Sequence, residues 1–150
     1  MFNVVLVRPE IPQNTGNIGR LCVNTGCRLH LVHPLGFSLD ERHRRRAGLD
    51  YWPHLDWCEH GDARAFLRAS PPGSRFFFSA HGTRTLWECP FPEGAFLVFG
   101  SETAGLAPAW RRRFADRLYR IPMPGEHARS FNLANAVAIA VLEGLRRHLA

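Results

Sequence analysis

Two runs constrain the fold more than anything else in the chain: Phe76-Phe77-Phe78, and Ala95-Phe96-Leu97-Val98-Phe99. Neither alternates apolar with polar residues, and both are too short for a helix. A strand without a polar face has to be covered on both sides, as in a parallel sheet held between helices. Five strands are predicted on this basis: Phe2–Val7, Leu29–His33, Arg75–Ser79, Ala95–Phe99 and Leu118–Ile121. Between them lie helical patterns at Gly16–Asn24, Leu39–Ala47, Ala63–Ala69 and Ala107–Phe114, and from Leu133 to about His148. Alternation of the two predicts an α/β fold, a parallel sheet with flanking helices. A length of 150 residues suits one domain over 1–150. No apolar run approaches the ~20 residues that cross a bilayer, and Phe2–Val7 is too short for a signal peptide. A cytoplasmic protein without membrane association is expected.

The last helix is apolar nearly all round. Leu133, Ala136, Val137, Ala140 and Val141 form one face, and Ala134, Ala138, Ile139 and Leu142 form a second. Such a helix needs cover on more than one side. The sheet can supply one cover; the other is either a partner subunit or another helix of the same chain.

Charge narrows the chemistry. The chain carries 19 basic and 13 acidic residues, a net charge of +6, and all the basic residues are arginine. Without lysine there is no Schiff-base chemistry, no lysine general base and no phosphate-binding GxxxxGK[ST] loop. The positive excess points to a polyanionic partner, nucleic acid first. Cys22, Cys27, Cys58 and Cys89 form no CxxC pair and no zinc-like spacing with the 8 histidines. They are read as reduced thiols packed as small hydrophobes, and no metal is assigned.

In open α/β sheets, ligands bind beyond the carboxyl ends of the strands. Three such ends are rich in glycine and polar groups. The first, Pro9 to Arg20, contains Asn14-Thr15-Gly16-Asn17-Ile18-Gly19-Arg20; Asn14 or Thr15 can cap the following helix. It is not GxGxxG, so a dinucleotide site is unsupported. The second, Gly100-Ser101-Glu102-Thr103-Ala104-Gly105-Leu106, places a glycine and a carboxylate at a strand end. The third runs from Ile121-Pro122-Met123-Pro124-Gly125 through Arg129-Ser130-Phe131-Asn132, where Ser130 or Asn132 can be the N-cap of the last helix.

Taken in order, these three segments resemble the motifs of the SPOUT superfamily of RNA methyltransferases. The spacing is most similar to the small tRNA 2′-O-methyltransferases that act on the wobble cytidine or uridine, position 34. The stretch RPEIPQNTGNIGRLCVNTGCRLHLVHPLGF and the segment RRAGLDYW carry the same likeness, which runs from Phe2 to about Arg147. Two positions depart from the usual pattern: Ser101 stands where proline is frequent, and Ser130-Phe131-Asn132 stands where SLN or SMN is common. The resemblance implies a deep C-terminal trefoil knot, an exception to unknotted topology. It also implies a homodimer packed through helices that include the last one. S-adenosylmethionine would lie bent in the knot, contacted by Phe78, Gly100, Ile121 and Ser130. Arg20 would be the catalytic arginine, with Asn14, Glu102 and Asn132 arranging it and the ribose.

The implied chemistry is in-line displacement: a ribose 2′-hydroxyl attacks the methyl of a sulfonium, and no metal is required. A guanidinium keeps its proton, so Arg20 is read as gripping the hydroxyl and a neighbouring phosphate. Glu102 is expected to hold it in orientation. Arg44, Arg45 and Arg46 are candidate tRNA contacts, the alternative being a solvated helix face; Arg111–Arg113 are assigned to such a face. Two other functions stay open: a related methyltransferase for another tRNA or ribosomal RNA site, and a non-catalytic RNA-binding protein of the same fold.

Overall fold

The computed structural model describes residues 1–46 and 50–150, without the side chains of residues 44–46. Among the described residues, seven strands form one sheet: β1 (Asn3–Val7), β2 (Arg28–Val32), β3 (Trp57–His60), β4 (Arg75–Phe78), β5 (Arg84–Thr85), β6 (Phe96–Phe99) and β7 (Leu118–Arg120). Their order is β3-β2-β1-β6-β4-β7-β5, and every pairing is parallel. Five α-helices accompany them among the described residues: α1 (Pro12–Thr25), α2 (Glu41–Arg46), α3 (Ala63–Ala69), α4 (Pro108–Arg113) and α5 (Leu133–Leu149).

The unbroken apolar runs behave as their composition requires. Phe76, Phe78, Leu97 and Phe99 enter one core with Ile18 and Cys22 of α1 and with Val137, Ala140 and Val141 of α5. The residues between them, Phe77 and Val98, enter a second core on the opposite face, with Phe66 of α3 and with Trp110 of α4 packed against it. Successive strand side chains point to opposite faces, so each run supplies both cores at once. Cys22, Cys27 and Cys89 are buried free thiols, and Cys58 is a half-buried one.

Two strands escaped the sequence reading. β3, Trp57-Cys58-Glu59-His60, is half polar and lies at the sheet edge, so it has no apolar run to betray it. β5 has only two residues. Predicted helix Gly16–Asn24 is longer than expected, because Pro12 opens α1 at its first position, where a preset φ and a missing N–H cost nothing. Asn14 and Thr15 are therefore not caps; they are buried within α1. The helix stops at Gly26, whose φ of 70° allows its N–H to close on the Cys22 carbonyl. At α5 the expected cap is confirmed as Asn132, whose side chain accepts from the Asn135 N–H at 3.3 Å. The predicted end of α2, Ala47, lies outside the described residues.

Candidate active site

Because all strands run the same way, the loops after β1, β4, β6 and β7 emerge on one edge of the sheet. A cavity of about 200 Å³ opens there. Its walls include the ends of β4 (Phe78) and β6 (Phe99), the loop Gly100–Leu106, Ile121 beyond β7, Ser130 and the start of α5. All four residues expected to contact a cofactor, Phe78, Gly100, Ile121 and Ser130, line this one cavity. Sequence reasoning missed Ser79 and His81 on the same wall, although their place just after the Phe76–Phe78 run was a usable signal.

Gly100 has a more specific reason than room for a ligand. A Cβ there would lie 2.1 Å from the Gly105 carbonyl carbon and 2.2 Å from the Leu106 nitrogen. The loop turns back on itself through Gly105, at φ 65°, and its N–H donates to the Ser101 carbonyl at 3.0 Å. Gly100 is thus the residue that lets the cavity wall close.

Behind this loop lies a chain of hydrogen bonds. Glu102 accepts from the backbone N–H groups of Glu10 (2.9 Å) and Ile11 (2.6 Å), and from the Asn14 amide at 3.3 Å. The Asn132 amide in turn donates to the Asn14 carbonyl oxygen at 3.0 Å. Three segments far apart in sequence are joined in this way, one from each motif. The Glu10 carboxyl, which accepts from the Thr103 hydroxyl at 2.6 Å, is held below its ordinary pKa first by that bond and then by Ser101.

Arg20 occupies a different position. It is exposed on α1 and lines an open groove with Asn14, Asn17, Asn132, Asn135 and Ala138. The expected grip of Glu102 on Arg20 is not found. The Glu102 carboxylate is engaged by the start of α1 and by Asn14, so it braces the loops rather than the guanidinium. The network separates two compartments: the cavity on the Glu102 side, and the arginine groove on the Asn14–Asn132 side. The side chains of Arg44, Arg45 and Arg46 lie outside the described residues; their backbone closes α2.

The cavity combines apolar walls (Phe78, Ile121, Leu133) with a run of strand-end backbone and the Ser130 hydroxyl. That mixture suits a ligand that is part flat heterocycle and part polar chain. The sequence pattern described as "SpoU rRNA Methylase family" matches residues 1–142. The chain belongs to that family. It is 52% identical over 153 residues to a tRNA (cytidine(34)-2′-O)-methyltransferase of Polaromonas sp., covering 99% of this chain and 92% of the relative. A solved structure described as "Structural insights into the 2-OH methylation of C/U34 on tRNA" superposes with a TM-score of 0.91. It is 48% identical, covering 99% of this chain and 97% of that one. A Sinorhizobium meliloti rRNA methyltransferase solved with AdoMet bound gives a TM-score of 0.84 at 27% identity, covering 99% of this chain and 57% of the other. The architecture is that of the SpoU/SPOUT methyltransferases, the knotted α/β class expected from the three motifs. Within this SpoU fold, no helix among the described residues is long and apolar enough to cross a membrane.

Proposed function

We propose that the protein transfers a methyl group from S-adenosylmethionine to the ribose 2′-hydroxyl of the wobble nucleotide, position 34, of tRNA. The observation that carries this reading is the joining of Asn14, Glu102 and Asn132 into one network between the strand-end cavity and the Arg20 groove. Whole-length similarity to relatives named for this reaction supports the substrate.

When bound, S-adenosylmethionine supplies a methyl already activated on a sulfonium, so the transfer needs no metal. Phe78 and Ile121 offer apolar surface to the cofactor, while the Gly100 backbone and Ser130 hydroxyl offer polar contacts. Asn14 and Asn132 hold in one geometry the junction where the nucleotide groove meets the cofactor cavity and the hydroxyl has to reach the methyl. Arg20, exposed in the groove, grips the 2′-hydroxyl and an adjacent phosphate with its two-pronged donor set, and that phosphate takes the proton. The catalytic contribution is positioning together with proton removal.

The protein acts on tRNA as a homodimer in the cytoplasm. The groove that carries Arg20 is bordered by Ala134 and Ala138, which belong to the second apolar face of α5. A second copy seated on that face brings Arg20 to the interface. The test is labelled methyl transfer to total tRNA, followed by mapping of 2′-O-methyl nucleotides. Label at position 34 is expected. Label confined to ribosomal RNA or to another tRNA position overturns the substrate, and saturable cofactor binding without any transfer overturns the reaction.

A further inference from the structure

At the far edge of the sheet, three metal-ligating side chains converge that the methyl-transfer reading does not use. His30 on β2 is a direct register partner of Cys58 on β3, and His60 follows two residues later on the same face. His30 Nδ1 lies 3.0 Å from His60 Nε2 and 3.2 Å from Cys58 Sγ, and Cys58 Sγ lies 3.8 Å from His60 Nε2. Zinc bound tetrahedrally, at ~2.0–2.1 Å to nitrogen and ~2.3 Å to sulfur, needs ligand atoms roughly 3.3–3.6 Å apart. Both contacts of His30 are shorter than that range and the Cys58–His60 separation is longer; the two imidazoles, 5.3 Å apart between centroids and 7° from parallel, meet nitrogen to nitrogen, so an entering ion turns them toward itself.

The surrounding bonds fix where the lone pairs point. The Asn3 amide nitrogen donates to the Gly94 carbonyl at 3.0 Å, so its oxygen is the atom facing His30 Nε2 at 2.9 Å. An amide oxygen only accepts, so Nε2 carries the ring proton and Nδ1 presents a lone pair, to which His60 Nε2–H donates; ligation by His60 Nε2 moves that proton to its Nδ1. Holding a ligand imidazole by its other N–H is the usual outer support of a metal site. Aromatic neighbours flank both rings: His30 packs edge-on to Phe96, and His60 edge-on to Phe66.

We propose that His30, Cys58 and His60 bind one zinc ion, with the fourth position open to water. The cluster is 4% exposed at His30 and half-exposed at Cys58 and His60, so a path to solvent exists. Burial first, then His60 and Arg28, pushes His30 down to about 4, and burial followed by Arg28 lowers His60. Burial raises the Cys58 thiol, so binding forms a zinc–sulfur bond and releases the thiol proton to solvent. Arg28 is the opposing charge nearby, and it is ion-paired with Asp56 at 3.2 Å. Such an ion clips edge strand β3 to β2, well away from the cavity at the ends of β4, β6 and β7.

The experiment titrates zinc alone into the reduced, metal-stripped protein against a chromophoric chelator, with cobalt as a spectroscopic substitute. Expected are one tight equivalent, sulfur-to-cobalt charge-transfer absorption, and a rise in thermal midpoint. Cys58→Ser should abolish the charge-transfer band, and Asn3→Ala should weaken zinc ~10–100-fold while keeping all three ligands. Unchanged S-adenosylmethionine binding verifies the fold of each variant. Failure of the wild type to bind zinc at micromolar concentration overturns the proposal. So does one tight equivalent that survives in both Cys58→Ser and His60→Gln.

Discussion

Arg20 projects from α1 into a groove, exposed and without an ion-pair partner among the described residues. Its charge acts on the Tyr51 hydroxyl, but it holds no ion pair that Arg20→Ala would break, which makes it a good test of the chemistry. Arg20→Ala is expected to fold and to bind cofactor normally, yet to lose ~10²–10⁴-fold in methyl transfer, as removal of a positioned proton-transfer group does. Arg20→Lys should fail nearly as badly, since an ammonium cannot reproduce the fork. Single-turnover transfer to tRNA at saturating cofactor measures both; near-normal turnover of Arg20→Ala overturns the assignment. Gly100 is the opposite kind of residue. A methyl there meets backbone atoms at 2.1 and 2.2 Å, which cannot swing aside, whereas at Gly125 nothing lies within 4 Å. Gly100→Ala should lower the thermal midpoint and abolish calorimetric binding of S-adenosylmethionine, while Gly125→Ala should leave both unchanged. Residue type and strand-end position made Gly100, Ser130 and Asn132 legible in the sequence. The role of Glu102 was not, because its backbone partners Glu10 and Ile11 lie 92 and 91 residues away.

At the scale of elements, legibility followed apolar content. The strands that fill both cores announce themselves, since a run such as Phe96–Phe99 has no other stable placement. Edge strand β3 does not, and with it the meeting of His30, Cys58 and His60 stayed hidden: a separation of 28 positions between His30 and Cys58 is no metal-ligand spacing, and only sheet register brings them together. Helix α1 shows a different effect. Its start is set by Pro12 and by the Glu102 carboxylate delivered from another loop, so a local search for a capping side chain misplaced it. Helix α2 carries the remaining charge question. If Arg44, Arg45 and Arg46 neutralise phosphates, replacing all three with Gln should weaken tRNA binding and reduce the slope of log affinity against log salt by roughly 2–3. Cofactor affinity should stay constant. An unaltered slope, read by fluorescence anisotropy over a salt series, assigns the run to a solvated helix face.

For the whole molecule, strand–helix alternation indicated a parallel sheet but not its order. Only β1-β2 and β2-β3 join strands that are consecutive in sequence; the remaining four pairings cross over, and no local pattern encodes them. That order gathers the three motif loops on one edge, and it leaves α5 between the sheet and the outside. Leu133, Val137, Ala140, Val141 and Leu145 of α5 are buried within this chain. On the second face, Ala134, Ala138 and Ile139 are only half-buried and Leu142 is 55% exposed. The other helix at this face, α1, contributes Asn17, Arg20 and Asn24 to the groove, a polar border too open to cover it. Apolar surface left in water costs roughly 25 cal/mol per Å², and a standard interface removes about 800 Å² from each partner. A homodimer through this face is the expected outcome, with a light-scattering mass twice the 17.0 kDa of the chain at micromolar concentration. Leu142→Asp places a charge in that contact without touching the core, so it should yield folded monomer. The cavity is lined by residues of one chain, so this monomer should still bind S-adenosylmethionine; with the Arg20 groove uncovered, it should lose methyl transfer. A wild-type mass of 17.0 kDa, or a Leu142→Asp monomer with full transferase activity, would show that one copy is a complete enzyme.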